Sequence, residues 1–157
     1  MNDQFNNIDE FQETVVRINR VSKKTKGGNQ MRFTALVVVG DRKGQVGAAL
    51  EKASDVRGAI QKAIKHAKAG MIKAPLKGTT VPHDITTKFN AARVMIKPAP
   101  PGSGIIAGGP MRVVLEAAGV RDAVGKIMGT NNKASNVYAT IKALEELSKI
   151  EKNKKRK

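Results

Sequence analysis

The spacing of hydrophobic positions changes several times along this chain, and each change marks an element. From Phe11 to Val21 two periods compete: Phe11, Val15 and Ile18 share a helical spacing, whereas the β-branched Thr14-Val15-Val16 and Ile18 favour a strand. The β-branching decides for a strand. Met31, Phe33, Ala35, Val37 and Val39 then alternate with Arg32, Thr34 and Leu36, the period of a half-buried strand. Gly40-Asp41 and Gly44 predict a turn into a third strand near Val46 to Leu50. With Ser54 as N-cap, Val56, Ala59, Ile60, Ala63, Ile64 and Ala67 follow at the i, i+3, i+4 spacing of one buried helical stripe, closed by Gly70. The opposite helix face carries Arg57, Gln61, Lys62, Lys65 and Lys68, with no acid among them.

The segment APLKGTTVPHD, with Pro75 and Pro82, breaks the pattern and predicts a crossing between two lobes. Strands are expected near Ile85 to Phe89 and Arg93 to Lys97. A helix from Met111 to Ala118 follows, with Pro110 at its first position and Gly119 as its stop. A short strand near Ala123 to Met128 leads to a last helix from about Ser135 to Ile150, striped by Val137, Ile141, Leu144 and Leu147. The expectation is an α+β protein of two lobes, β-β-β-α over residues 11–73 and β-β-α-β-α over 83–150. Residues 1–10 and 151–157 are expected to be flexible tails, because EKNKKRK has nothing apolar to bury.

Charge narrows the choice of partner. The 157 residues hold 29 Lys and Arg against 13 Asp and Glu, a net charge of +16, which points to a polyanion. Nucleic acid fits better than a membrane, since neither a long apolar span nor a basic amphipathic helix with aromatic anchors is present. The absence of cysteine excludes disulfides, thiolate catalysis and Cys-based zinc sites. The polar, acidic start MNDQFNNIDEFQE has no apolar core of a secretion signal, so a cytoplasmic location is expected. Aromatic side chains make up only 3% of the chain, and Phe33 and Phe89 fall in apolar segments. Contacts to phosphate and sugar are therefore expected over base stacking.

One stretch invites an enzymatic reading. Gly102-Ser103-Gly104-Ile105-Ile106-Ala107-Gly108-Gly109-Pro110 places glycines before a helix, where backbone N–H groups could approach a phosphate. Its spacing matches neither the dinucleotide fingerprint nor a Walker loop, and its apolar Ile105-Ile106 pair suits a protein contact better. His66 and His83 lie on separate segments without a carboxylate at ligand spacing, and no Ser, Cys or Lys is placed as an activated nucleophile. No catalytic group, metal, cofactor or small-molecule substrate is expected.

The remaining feature is NRVSKKTKGGNQM, residues 19 to 31, between the first two strands. It carries Arg20, Lys23, Lys24 and Lys26 before Gly27-Gly28, and no acid occurs from Thr14 to Gly40. A merely solvated loop would usually mix signs. Lysines supply charge without demanding a base, and the glycines permit close approach to a sugar-phosphate chain. The basic helix face of Arg57, Lys62, Lys65 and Lys68 is the second candidate for RNA.

Taken in order, NRVSKKTKGG, FTALVVVGDRKGQVG, AIQKA, PGSGIIAGGPMRVVLEAAGV and ATIKALEEL resemble the universal small-subunit ribosomal protein family number five in its bacterial form, over roughly Val15 to Leu147. The resemblance implies an N-terminal lobe like a double-stranded-RNA-binding domain and a C-terminal lobe of the family's own fold. It implies binding to small-subunit ribosomal RNA at the junction of head and body, with a role in translational accuracy and near where messenger RNA enters. The family's RNA-reaching hairpin carries over to Arg20, Val21, Ser22, Lys23, Lys26, Gly27 and Gly28. Contacts with neighbouring small-subunit proteins are implied, especially number four and number eight, the former around Gly104, Ile105, Ile106 and Arg112. The chain departs from the family pattern at Asn29, at Ala48-Ala49-Leu50-Glu51 and at Tyr138. Two other readings stay open on sequence: a small metabolite kinase using GSGIIAGG, and a free double-stranded-RNA binder.

Overall fold

A computed structural model describes residues 11–157; the first expected tail, 1–10, lies outside the described residues. Gln12–Thr25 (β1), Gly28–Gly40 (β2) and Gln45–Ala53 (β3) form an antiparallel meander, with the short β4, Ile72–Lys73, beside β3. Val56–Ala69 (α1) lies on one face, where Ala59, Ala63 and Ala67 pack on Ala35, Val37, Val39 and Ala49. The helix is capped by Asp55, whose carboxylate accepts from the Gly58 N–H, rather than by the expected Ser54. A carboxylate at this end also meets the positive pole of the helix.

The second sheet has the order β5 (Ile85–Phe89), β6 (Ala92–Pro98), β8 (Ala123–Ile127) and β7 (Ile105–Ile106). β7 runs parallel to β8 and reaches it through the helix Gly109–Ala118 (α2). The last helix, Lys133–Lys155 (α3), packs on β5, β6 and α2. The two lobes are thus the α+β arrangement that the pattern predicts. Two residues are too few to show a period, so β4 and β7 are additions to it.

β2 departs from its expected half-buried state. Ala35 to Gly40 are buried throughout, because the alternating positions enter two different cores. Ala35, Val37 and Val39 face α1, whereas Leu36 and Val38 join Val94, Ile96, Met111, Val114 and Leu144 of the C-terminal lobe. Fully burying each of the Val, Leu, Ile and Met side chains is worth about 1.5–3 kcal/mol. The turn after β2 extends the junction. Gly119 ends α2 at φ +93°; its N–H bonds the Glu116 carbonyl and the Val120 N–H bonds that of Leu115. The next two carbonyls, of Ala117 and Ala118, accept from the N–H groups of Arg42 (3.0 Å) and Gly44 (2.9 Å). The first lobe thereby completes the helix end of the second.

The crossing between lobes is part of the packed body. Ala74 and Val81 are buried in the larger core, and the Thr79 carbonyl accepts from the N–H groups of Arg121 and Asp122. At the other end, α3 begins before Ser135 and continues through residues expected to be a flexible tail. Helix propagation needs no buried face once the helix exists. Lys and Glu are good helix formers, and Lys152, Lys154 and Lys155 suit the negative pole of the last turn.

Close contact between lobes makes Gly40 a sharp test. A Cβ there would lie 2.1 Å from the Ala117 carbonyl oxygen, whereas around Gly27 the space is open. Gly40→Ala is expected to destabilise the chain by about 1–3 kcal/mol, and Gly27→Ala by no more than about 0.5 kcal/mol, as read by denaturant unfolding.

Candidate RNA interface

β3 ends at Ala53, opposite Phe33, and beyond that level β1 and β2 continue as a bare two-stranded ribbon. Five further pairs run from Val21↔Arg32 to Thr25↔Gly28, about 16 Å at the usual strand rise. The ribbon closes in a two-residue turn, Lys26-Gly27, with the Thr25 hydroxyl donating to the Gly28 carbonyl. The cationic stretch is therefore extended strand almost to its tip, instead of a long loop. Gly28, at φ +130°, takes a conformation that requires glycine; Gly27 does not.

Strand alternation distributes the predicted residues over both faces and the tip. Arg20, Ser22 and Lys24 share the face that α1 covers further down, while Val21 and Lys23 face the side of the C-terminal lobe. Lys26 sits at the turn. On the second face Arg32, paired with Val21, and Lys52, paired with Thr34, join Lys23 around a cleft of about 210 Å³. Sequence reasoning missed both. Arg32 was legible as an outward position of β2, but nothing in sequence places Lys52 beside it. Among the described residues, no carboxylate comes within ion-pair distance of Arg20, Lys23, Lys24, Lys26, Arg32 or Lys52. Arg20 instead turns its guanidinium to the Met31 thioether, a weak acceptor.

The helix face is different. Expected to be free of compensating acids, it is partly neutralised by carboxylates from the strands beneath. Glu51 of β3 pairs with Lys62 (3.5 Å) and His66, and Glu13 of β1 pairs with Lys68 (2.7 Å), which also lies 5.6 Å above the Phe11 ring. Arg57 and Lys65 have no acid partner among the described residues. Arg57, in the first turn of α1, is the member of this face nearest the ribbon's base, because α1 starts just after Ala53. The hairpin, not the helix, is the uncompensated polycation.

The glycine-rich block is built around a carboxylate. Gly102 (φ +91°) and Gly104 (φ +71°) aim their N–H groups at the Asp122 Oδ1, at 3.2 and 2.9 Å. The donors that a phosphate loop would offer are thus already engaged. The Thr79 hydroxyl, with the Gly104 and Gly102 N–H groups and the Arg121 charge, holds the Asp122 carboxyl below its ordinary pKa of 3.8 despite burial. Gly104, Ile105 and Arg112 come together around a cleft of about 510 Å³, joined by Arg42 and Arg121. Arg112 is held by Glu116 at 3.0 Å. Ile106 does not join them: it points from the other side of β7 and is 60% exposed. Arg42 and Arg121 come from segments far apart in sequence and only the fold shows them as neighbours.

A cationic ribbon carried on a two-lobed α+β body, whose glycine-rich turn at Gly102–Gly104 is occupied by the protein's own carboxylate, is the arrangement expected of an RNA-binding protein. Family models agree with that class. Residues 11–75 match the N-terminal domain of ribosomal protein S5 and residues 87–157 its C-terminal domain. The small ribosomal subunit protein uS5 of Chloroflexus aurantiacus is 50% identical over 141 residues, spanning 90% of this chain and 79% of that protein. The chain belongs to the ribosomal protein S5 family.

Asp122 gives a prediction in pH. Its pKa is lower folded than unfolded, so its contribution to stability is complete above the ordinary carboxylate value of 3.8 and disappears as pH falls through the lower folded value. Asp122→Asn should be less stable than the parent by a constant margin from neutral pH down to about 3.8, and the margin should shrink as pH falls from there through the lower folded value and level off beneath it. Chemical denaturation across pH reads the margin directly.

Proposed function

We propose that this chain is a structural constituent of the small ribosomal subunit that holds ribosomal RNA at the junction of head and body. The observation that carries this reading is the ribbon of Val21–Thr25 and Gly28–Arg32, which stands clear of the third strand with cations on both faces and at its tip. Lysines reaching from a rigid base bind phosphates without reading sequence, as a protein that sits on folded RNA requires. Open space around Gly27 lets a sugar-phosphate chain come close to the backbone there. The cleft of Gly104, Ile105 and Arg112, widened by Arg42 and Arg121, supports contact with a neighbouring small-subunit protein of acidic surface, number four in this reading. Through these two contacts the chain acts in the cytoplasm on the accuracy of translation and on the region where messenger RNA enters.

Replacing Lys23, Lys24 and Lys26 with Ala tests the RNA part. Affinity for a small-subunit ribosomal RNA transcript should fall about equally across sequences, and the slope of log affinity against log salt should drop by about 2 to 3 units, at about 0.7–0.9 for each phosphate no longer neutralised. Thermal stability should hardly change, because all three side chains are exposed. An unchanged salt slope would contradict the assignment and turn attention to Arg57 and Lys65.

A further inference from the structure

The second sheet has a face that the hairpin reading leaves unexplained. Ile85, Thr87, Val94, Ile96 and Ile127 point into the core beneath α2 and α3. By alternation and register, their neighbours form three rows on the opposite face: Lys88↔Arg93, Thr86↔Met95↔Lys126, and Lys97↔Val124↔Ile106. Both helices that pack on this sheet lie on its inner face, and Lys88, Arg93, Lys97 and Lys126 are all exposed.

This outer face is cationic without compensation. None of its four basic side chains takes part in an ion pair among the described residues. The nearest acids in the chain do not relieve it: Asp122 is turned inward to Gly102 and Gly104, and Asp84, just before β5, pairs with none of the four. Moreover Lys88 and Arg93 are directly opposed across the strands, an arrangement that destabilises a sheet unless an anion lies against it. Among the described residues, the carboxylates that form ion pairs sit elsewhere: Glu13 and Glu51 beside α1, Glu116 on α2 and Glu145 on α3.

We infer that the outer face of the second sheet is a separate RNA-backbone surface, in which Lys88, Arg93, Lys97 and Lys126 bind phosphates. Met95, Val124 and Ile106 lie between them as an apolar floor against which riboses can rest. No aromatic side chain is present on this face, so bases are not stacked and the contact is independent of sequence. A protein partner fits less well: lysine is depleted in protein interfaces, and three apolar side chains fall short of the roughly 800 Å² that each partner of a stable complex buries. The inference rests on ribosomal RNA being the partner, but not on the hairpin.

The test uses the full chain and a small-subunit ribosomal RNA transcript, titrated across salt. Lys88→Gln, Arg93→Gln, Lys97→Gln and Lys126→Gln are combined in one variant, compared with the hairpin triple variant and with both sets together. The face variant should lower the salt slope by about 3 units, at about 0.7–0.9 per phosphate, add to the hairpin's effect, and leave thermal stability unchanged or raised. A normal slope for the face variant beside a reduced one for the hairpin variant overturns this surface alone; normal slopes for both overturn the RNA reading beneath it. If the face variant keeps its slope while Ile106→Asp excludes the chain from reconstituted small subunits, the face belongs to a protein partner and the inference is wrong.

Discussion

The two-sided burial of β2 is the constraint on which the rest of this structure depends. Because successive residues of a strand face opposite ways, Ala35, Val37 and Val39 can serve the core under α1 while Leu36 and Val38 serve the core of the other lobe. A slip of one residue would exchange the two sets and fit neither core. The same strand therefore fixes its own register, the position of α1 and the docking of α2. Where β2 ends, the N–H groups of Arg42 and Gly44 close the last free carbonyls of α2, so hydrogen bonding and packing agree on one relative placement of the lobes.

That placement explains how a two-stranded ribbon can be held out from the body. An isolated hairpin is marginal in water. Here the register is set at its base, where β1 gains a bulge at Val16 that turns this side chain into the larger core. The distal residues inherit the register and need contribute little of their own. Electrostatics follows the same division. Acids lie where helices need them: Glu13 and Glu51 against α1, Glu116 within α2, Glu145 within α3. The ribbon and the outer face of the second sheet carry cations alone, and their repulsion is borne by a core that contains none of them.

Much of this was legible in the sequence, because period and capping are local. The strands β1 to β3, β5, β6 and β8, the three helices, the stop at Gly119 and the cationic hairpin could all be read from neighbouring residues. What could not be read depends on contacts between distant segments. The uninterrupted run Ala35 to Val39 hinted at burial on both faces, yet only the second lobe shows what covers Leu36 and Val38. The basic stripe of α1 looked free because Glu13 and Glu51 lie on other strands, and the cleft of Arg42, Arg112 and Arg121 is assembled from three separate segments. The helical end of α3 was missed for another reason: a chain with nothing to bury can still extend a helix that is already formed.

The claim that one strand unites both lobes is tested most directly by native-state hydrogen exchange on the full chain in increasing denaturant. Amides of Val37 and Val38 in β2 and of Leu144 in α3 should converge on one opening free energy with one denaturant dependence, as a single cooperative unit requires. If the β2 amides exchanged through a separate, lower-energy opening while Leu144 stayed protected, the lobes would be independent and β2 would not be the element that holds them together.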